Sequence, residues 1–132
     1  MIKNAEKNGA VFATTNDTRI TPFGKFLRKS RLDEFPQFIN ILKGDMAVIG
    51  PRPERPVFVK EIAEVMPFYE TRHVVKPGLT GWAQVNYSYG ATIDDSLIKL
   101  QYDLYYIKHR SLFLDFNIIF KTLSTVLFYR GQ

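Results

Sequence analysis

The sequence predicts an α+β fold that is mostly helical, with about four amphipathic helices and a small, irregular β element near residues 46–50 and 74–86. Three observations predict it. Apolar residues recur at helical spacing in four stretches, from between Ser30 and Asp33 to Lys43, over Val57–Tyr69, from Thr92 to about His109, and from Ser111 to about Tyr129. Met46–Ile49 is a short apolar run, and VVKPGLTGWAQVNYSYGA mixes glycine and proline with β-branched and aromatic residues, which suits turns and short strands. A length of 132 residues with 45% apolar and 14% aromatic side chains is enough for one core, so residues 1–132 read as a single domain.

Residues 1–20 are polar and turn-rich, and their apolar run at Ala10–Ala13 has the length of a short strand. From Pro22 to Arg31 the cations Lys25, Arg28, Lys29 and Arg31 interleave with Phe23, Phe26 and Leu27. A solvated basic helix face and a contact for phosphate or lipid headgroups are both open readings of that pattern. Next, Phe35, Phe38, Ile39 and Leu42 share one helix face and Gly44 stands at the C-cap. Pro36 has no amide donor and suits only a first turn, so Asp33 and Glu34 are expected at that helix's N-terminus.

Gly50-Pro51-Arg52-Pro53-Glu54 cannot be helical, and its prolines fix the backbone beside Arg52. In the next helix Phe58, Ile62, Val65 and Met66 fall on one side, with Pro67 near the end. Thr92-Ile-Asp-Asp95 has the spacing of a capping box, which opens the third helix. On the last helix Leu112, Phe113, Phe116, Ile119, Phe120, Leu123, Val126 and Leu127 form one arc opposite Asp115, Asn117, Lys121, Thr122 and Thr125. That arc is expected to cover a core, the alternative being a membrane interface.

Composition narrows the chemistry. There is no cysteine, which excludes disulfides, thiolate metal sites and a thiol nucleophile, and with two histidines any metal would rest on oxygen ligands. A net charge of +5 points to an anionic partner without choosing between nucleic acid, membrane and phosphorylated small molecule. No uncharged stretch of about 18 apolar residues appears, so no spanning helix is expected. His73 and His109 have no visible ligand partners and read as surface or helix-end residues, and Trp82 reads as packing rather than as a stacking platform.

The adjacent carboxylates Asp33 and Glu34 follow Arg28 and Arg31 closely. Near a helix start an aspartate is held ionised, and an ionised carboxylate beside Mg²⁺ is what attack on phosphorus requires. Arg52 between two prolines suits bidentate phosphate recognition, and equally a rigid connector whose arginine pairs with Asp45 or Glu54.

The string RKSRLDEFPQFINILKGDMAVIGPRPERP, then Tyr69-x-x-Arg72 and VVKPGLTGWAQV, resembles the bacterial sugar transferase family, the monotopic phosphoglycosyl transferases that start polysaccharide assembly on a polyprenyl carrier. The segment NYSYGATIDDSLIKLQYDLYYIKHRSLFLDFNIIFKT is similar to the exopolysaccharide branch of that family. The resemblance implies transfer of a sugar 1-phosphate from a UDP-sugar to undecaprenyl phosphate, by ping-pong chemistry with Mg²⁺, at the cytoplasmic face of the bacterial inner membrane. It makes Asp33 the nucleophile and a metal ligand, Glu34 its assistant, and Arg52 a phosphate ligand. Arg28, Arg72 and Asp103, the last in Asp103–Tyr106, are implied as further substrate-binding positions.

The family carries a re-entrant membrane segment and a basic motif before its catalytic part, and Met1 corresponds to the end of that motif. The resemblance therefore implies a catalytic core without its membrane anchor. A non-catalytic core that binds nucleotide sugar, a partner or a membrane surface is the alternative. Nucleic-acid binding rests on charge alone and is not expected.

Overall fold

The computed structural model describes residues 18–30, 32–87 and 92–127. The expected strand at Ala10–Ala13, Arg31 and the end of the last helix beyond Leu127 lie outside the described residues. The fold is α+β and mostly helical, as the sequence predicts.

Helix α1 spans Pro22–Lys29, and its start is set locally: the Thr21 hydroxyl accepts the Gly24 amide at 3.1 Å and Pro22 occupies the first helical turn. A 3₁₀ turn, Leu32–Glu34, precedes α2, Gln37–Lys43, which ends on Gly44 at φ 82°. The helix expected to begin between Ser30 and Asp33 is thus split. Pro36 has no N–H to donate back, and Phe35, Phe38 and Ile39 bond instead to the carbonyls of Leu32, Phe35 and Pro36. Asp33 and Glu34 therefore sit one turn ahead of α2 rather than in its first turn.

Strand β1, Ala47–Ile49, pairs in parallel with β2, Gly78–Thr80, with Ala47 opposite Gly78 and Ile49 opposite Thr80. Elsewhere in the expected β region Trp82–Asn86 is helical, as α4, and Val74 closes a 3₁₀ segment, Tyr69–Val74. Helix α3, Pro56–Val65, is shorter than expected because Pro67 disfavours helical backbone at Met66, which adopts φ −137° and ψ 83°. Its Phe58 and Ile62 pack with Tyr69 of the 3₁₀ segment and with Leu100.

Helix α5, Ile93–Lys108, opens on the predicted capping box of Thr92 and Asp95 and closes at His109, whose ring is exposed. Helix α6, Leu112–Leu127, departs from expectation in the face it buries. Leu114 and Ile118, outside the predicted arc, pack on Tyr106, and the residues drawn inward beside them are polar. The Thr80 hydroxyl is 2.7 Å from that of Thr122, and the Lys121 ammonium donates to the side-chain amide oxygen of Asn86 at 2.6 Å. Most of the predicted arc faces out instead, with Phe113 81% exposed. Trp82 packs on this same cluster, stacked on Tyr105 and under the Lys121 ammonium. Among the described residues no helix is long and apolar enough to cross a membrane.

Candidate active site

The acidic pair and Arg52 are distant in sequence and adjacent in space. In the Leu32–Glu34 turn Asp33 is exposed, whereas Glu34 is half-buried and lies 3.6 Å from the Arg52 guanidinium. Helix α1 packs against that turn and brings Arg28 to the same part of the fold. An ion pair this exposed contributes little stability, about 0–1 kcal/mol. Its significance is positional: it holds the Arg52 guanidinium against the turn that carries the exposed Asp33.

The main chain leading into Arg52 is stitched to the sheet. Gly50 donates to the Thr80 carbonyl and Gly78 donates to the Pro51 carbonyl, both at 2.9 Å. The two backbones approach so closely that a Cβ on Gly78 would collide with the Gly50 main chain, which explains glycine at both positions. Pro51 and Pro53 then limit the remaining freedom on either side of Arg52.

Behind Arg52 lies a buried ion pair. Arg72, 6% exposed, reaches from the 3₁₀ segment to Asp103 of α5, 1% exposed, with Nη2 2.8 Å from Oδ2. The two atoms are close but poorly aligned for a hydrogen bond, so the contact is chiefly ionic. The aligned bonds of the guanidinium go elsewhere: Nη1 donates to the Tyr69 hydroxyl at 2.6 Å and Nη2 to the Arg52 carbonyl at 2.8 Å. Burial pushes the Asp103 carboxyl up to about 6, against the pull of Arg72 and the more distant Lys99. Burial likewise raises the Tyr69 phenol above its usual range, even with Arg72 pulling it down.

Residues 1–129 match the bacterial sugar transferase family. The chain belongs to that family. It is 54% identical over 127 residues, 96% of this chain and 30% of the relative, to the UDP-N-acetylgalactosamine-undecaprenyl-phosphate N-acetylgalactosaminephosphotransferase of Aeromonas hydrophila. It is 50% identical over 117 residues, 87% of this chain and 24% of the relative, to the UDP-glucose:undecaprenyl-phosphate glucose-1-phosphate transferase of Xanthomonas campestris pv. campestris. To the Escherichia coli protein of that same name it is 45% identical over 115 residues, 84% of this chain and 24% of the relative. The chain thus spans 24–30% of the length of these curated relatives.

In this bacterial sugar transferase, the residues singled out from sequence fall into two groups. Glu34 and Arg52 meet at the surface, the exposed Asp33 is Glu34's neighbour in the same turn, and α1, which carries Arg28, adjoins that turn. Arg72 and Asp103 are brought together with each other and with the Arg52 carbonyl, beneath that surface. The sequence reading did not single out Tyr69 for its hydroxyl, although its spacing to Arg72 was visible, nor Lys99, one turn before Asp103 on α5. Lys99 is half-buried in the field of Asp95, Glu54 and Arg52, and burial lowers its ammonium below the usual range.

Proposed function

We propose that this chain is the catalytic part of a phosphoglycosyl transferase that moves a sugar 1-phosphate from a UDP-sugar to polyprenyl phosphate through a covalent aspartyl intermediate. The observation that carries the reading is the exposed Asp33 carboxylate beside the Glu34–Arg52 pair. The names of the relatives supply the donor and acceptor classes. In the first half-reaction an Asp33 oxygen attacks the β-phosphorus, the bond from that phosphorus to the bridging oxygen breaks, and its electron pair leaves with the nucleoside monophosphate. In the second, an oxygen of polyprenyl phosphate attacks the same phosphorus and the Asp33 carboxylate is released. Arg52 holds phosphate oxygens in place while Glu34 orients its guanidinium, so most of the catalysis is positioning and charge neutralisation.

The donor set fits Mg²⁺ bound jointly with substrate. Among the described residues no three acidic or histidine side chains gather into a metal cage. One or two carboxylates completed by phosphate oxygens and water is the usual setting of this ion, and exposed Asp33 is so placed. When bound, the ion neutralises diphosphate charge.

Because the proposed acceptor is a lipid and the proposed donor a soluble nucleotide sugar, we propose that the reaction takes place at a membrane surface, on its cytoplasmic face. The exposed apolar faces of α6 and α2, with Phe113, Phe116, Phe38 and Leu42 uncovered, and the basic, aromatic α1 support that setting. Intact-protein mass spectrometry after incubation with Mg²⁺ and a panel of UDP-sugars tests the chemistry. One phosphosugar is expected on the wild-type protein and none on Asp33→Asn; equal labelling of both would remove Asp33 from the nucleophile's role.

A further inference from the structure

We infer that Arg72, held by Asp103 and Tyr69, is a positioning residue that sets the main chain of Arg52 and does not itself touch the substrate, an inference that rests on the phosphoglycosyl-transfer reading of the site. The geometry leaves little else for it to do. The Arg72 side chain is almost wholly enclosed, and its Nη1 and Nη2 are already engaged by the Tyr69 hydroxyl, the Asp103 carboxylate and the Arg52 carbonyl. Its Nε is buried as well, with no hydrogen-bond partner among the described residues. A phosphate arriving at the exposed Asp33 surface meets Arg52, and Arg72 lies behind the Arg52 carbonyl.

The connection is also the right kind of lever. Nη2 donates across 20 residues of sequence to a carbonyl flanked by two prolines, in a loop whose preceding residues are already fixed to β2. The sheet holds the Pro51–Arg52 peptide plane through the Pro51 carbonyl and Arg72 holds the Arg52–Pro53 plane through the Arg52 carbonyl, so the main chain of Arg52 is restrained on both sides of its Cα. The direction in which the Arg52 side chain leaves that Cα toward Glu34 follows from those two planes. Lysine would preserve the charge opposite Asp103 but has no planar fork to serve Asp103, Tyr69 and a carbonyl together. The Tyr-x-x-Arg spacing gains a purpose here, because three residues in a 3₁₀ segment complete one turn and bring the phenol to the guanidinium.

The test is a double-mutant cycle in the full-length protein. The Arg72→Lys change is made in the wild-type and the Arg52→Ala backgrounds, and phosphosugar loading from a UDP-sugar with Mg²⁺ is timed by intact mass. If Arg72 acts through Arg52, Arg72→Lys slows loading about 10- to 100-fold in the wild-type background and less than about twofold once Arg52 is alanine. Losses that multiply would show that Arg72 has its own contact with substrate and would overturn the inference. Hydrogen exchange of the Gly50–Glu54 segment gives a readout without turnover: Arg72→Lys should speed exchange there, and unchanged exchange sinks the proposal. A wild-type protein that loads no UDP-sugar would defeat the functional reading while leaving this exchange result to judge the brace. Tyr69→Phe keeps the ring in its cluster and removes one bond, so a smaller effect with the same dependence on Arg52 is expected even if Arg72→Lys does not fold.

Discussion

From Leu32 to Lys43, the stretch that carries Asp33 and Glu34, no side chain is buried, whereas Tyr69, Arg72 and Asp103 are among the most enclosed groups in the fold. The contrast fits what the proposed reaction asks of each region. In that proposal a carboxylate that meets a soluble nucleotide sugar first and a lipid phosphate second needs open access, which a shell of packed side chains would deny. An arginine that presents phosphate donors needs a fixed backbone, and fixing it takes atoms behind it. Burying two opposite charges costs several kcal/mol of desolvation per ion, so the Arg72–Asp103 pair is a poor device for stability and a good one for geometry. Accessibility sits on the exposed turn and rigidity on the buried pair, and the Glu34–Arg52 contact joins them.

The sharpest way to break this contrast is to remove one carboxylate from each region. Asp103→Ala strands the Arg72 guanidinium without its counter-ion and is expected to cost about 3–5 kcal/mol in chemical denaturation. Asp33→Ala touches an exposed position and should stay within about 0.5 kcal/mol of wild type while abolishing phosphosugar loading. Similar losses of stability in both would mean the two regions are not built differently.

Next in size is a pH effect with an unusual sign. The Asp103 carboxyl titrates near 6 in the native protein, above its ordinary value of 3.8, because burial disfavours its charge more than Arg72 favours it. Between those values the native state holds a proton that the unfolded chain has released, so this contribution is fully present below about pH 4 and is lost as pH rises through 6. Relative to Asp103→Asn, wild-type stability should therefore fall by on the order of 2–3 kcal/mol between pH 4 and 7. A flat difference would mean that Arg72 holds Asp103 fully ionised throughout. The exposed turn carries no comparable buried carboxyl.

Gly78→Ala probes the stitch between the regions. A methyl there runs into the Gly50 main chain, so the Pro51–Arg52 loop must move, at about 1–3 kcal/mol of stability. Loading should fall more than that loss of folded protein explains. If stability drops and the remaining folded molecules load at the wild-type rate, the loop position does not govern Arg52.

How far the fold was legible depended on whether the deciding partner was local. Thr92 and Asp95 are three residues apart and cap one another, and Gly44 takes the left-handed conformation its place after the apolar run required. Pro36 acts just as locally, but its missing donor broke the helix rather than starting it. The pairing of Ala47 with Gly78 and of Arg72 with Asp103 is set by packing between distant segments, and no local pattern announced either. Likewise the carboxylates and Arg52 were visible as residues, whereas the 3.6 Å contact between Glu34 and Arg52 was not. On α6 the spacing of apolar residues predicts an arc, and most of that arc is uncovered in the structure. Periodicity reports which side of a helix is apolar; it does not report what lies against it.

That uncovered arc gives the smallest expected effect on stability and a clean separation of roles on one helix. Ile118, fully buried against Tyr106 and Leu114, should cost about 2–5 kcal/mol when cut to alanine. Phe113, five residues earlier and largely exposed, loses almost no packing when changed to serine, so the unfolding free energy should change by less than about 0.5 kcal/mol. If the arc lies at a lipid surface, that same serine removes apolar area that would enter the headgroup boundary, and partition into vesicles containing anionic lipid should weaken about three- to tenfold. The loss should persist at high salt, because it is apolar in origin, whereas the loss from Lys25→Glu on α1 should shrink as salt screens the charge. Unchanged partition of Phe113→Ser would leave the exposed arc of α6 without a membrane role and shift that role to α1 and α2.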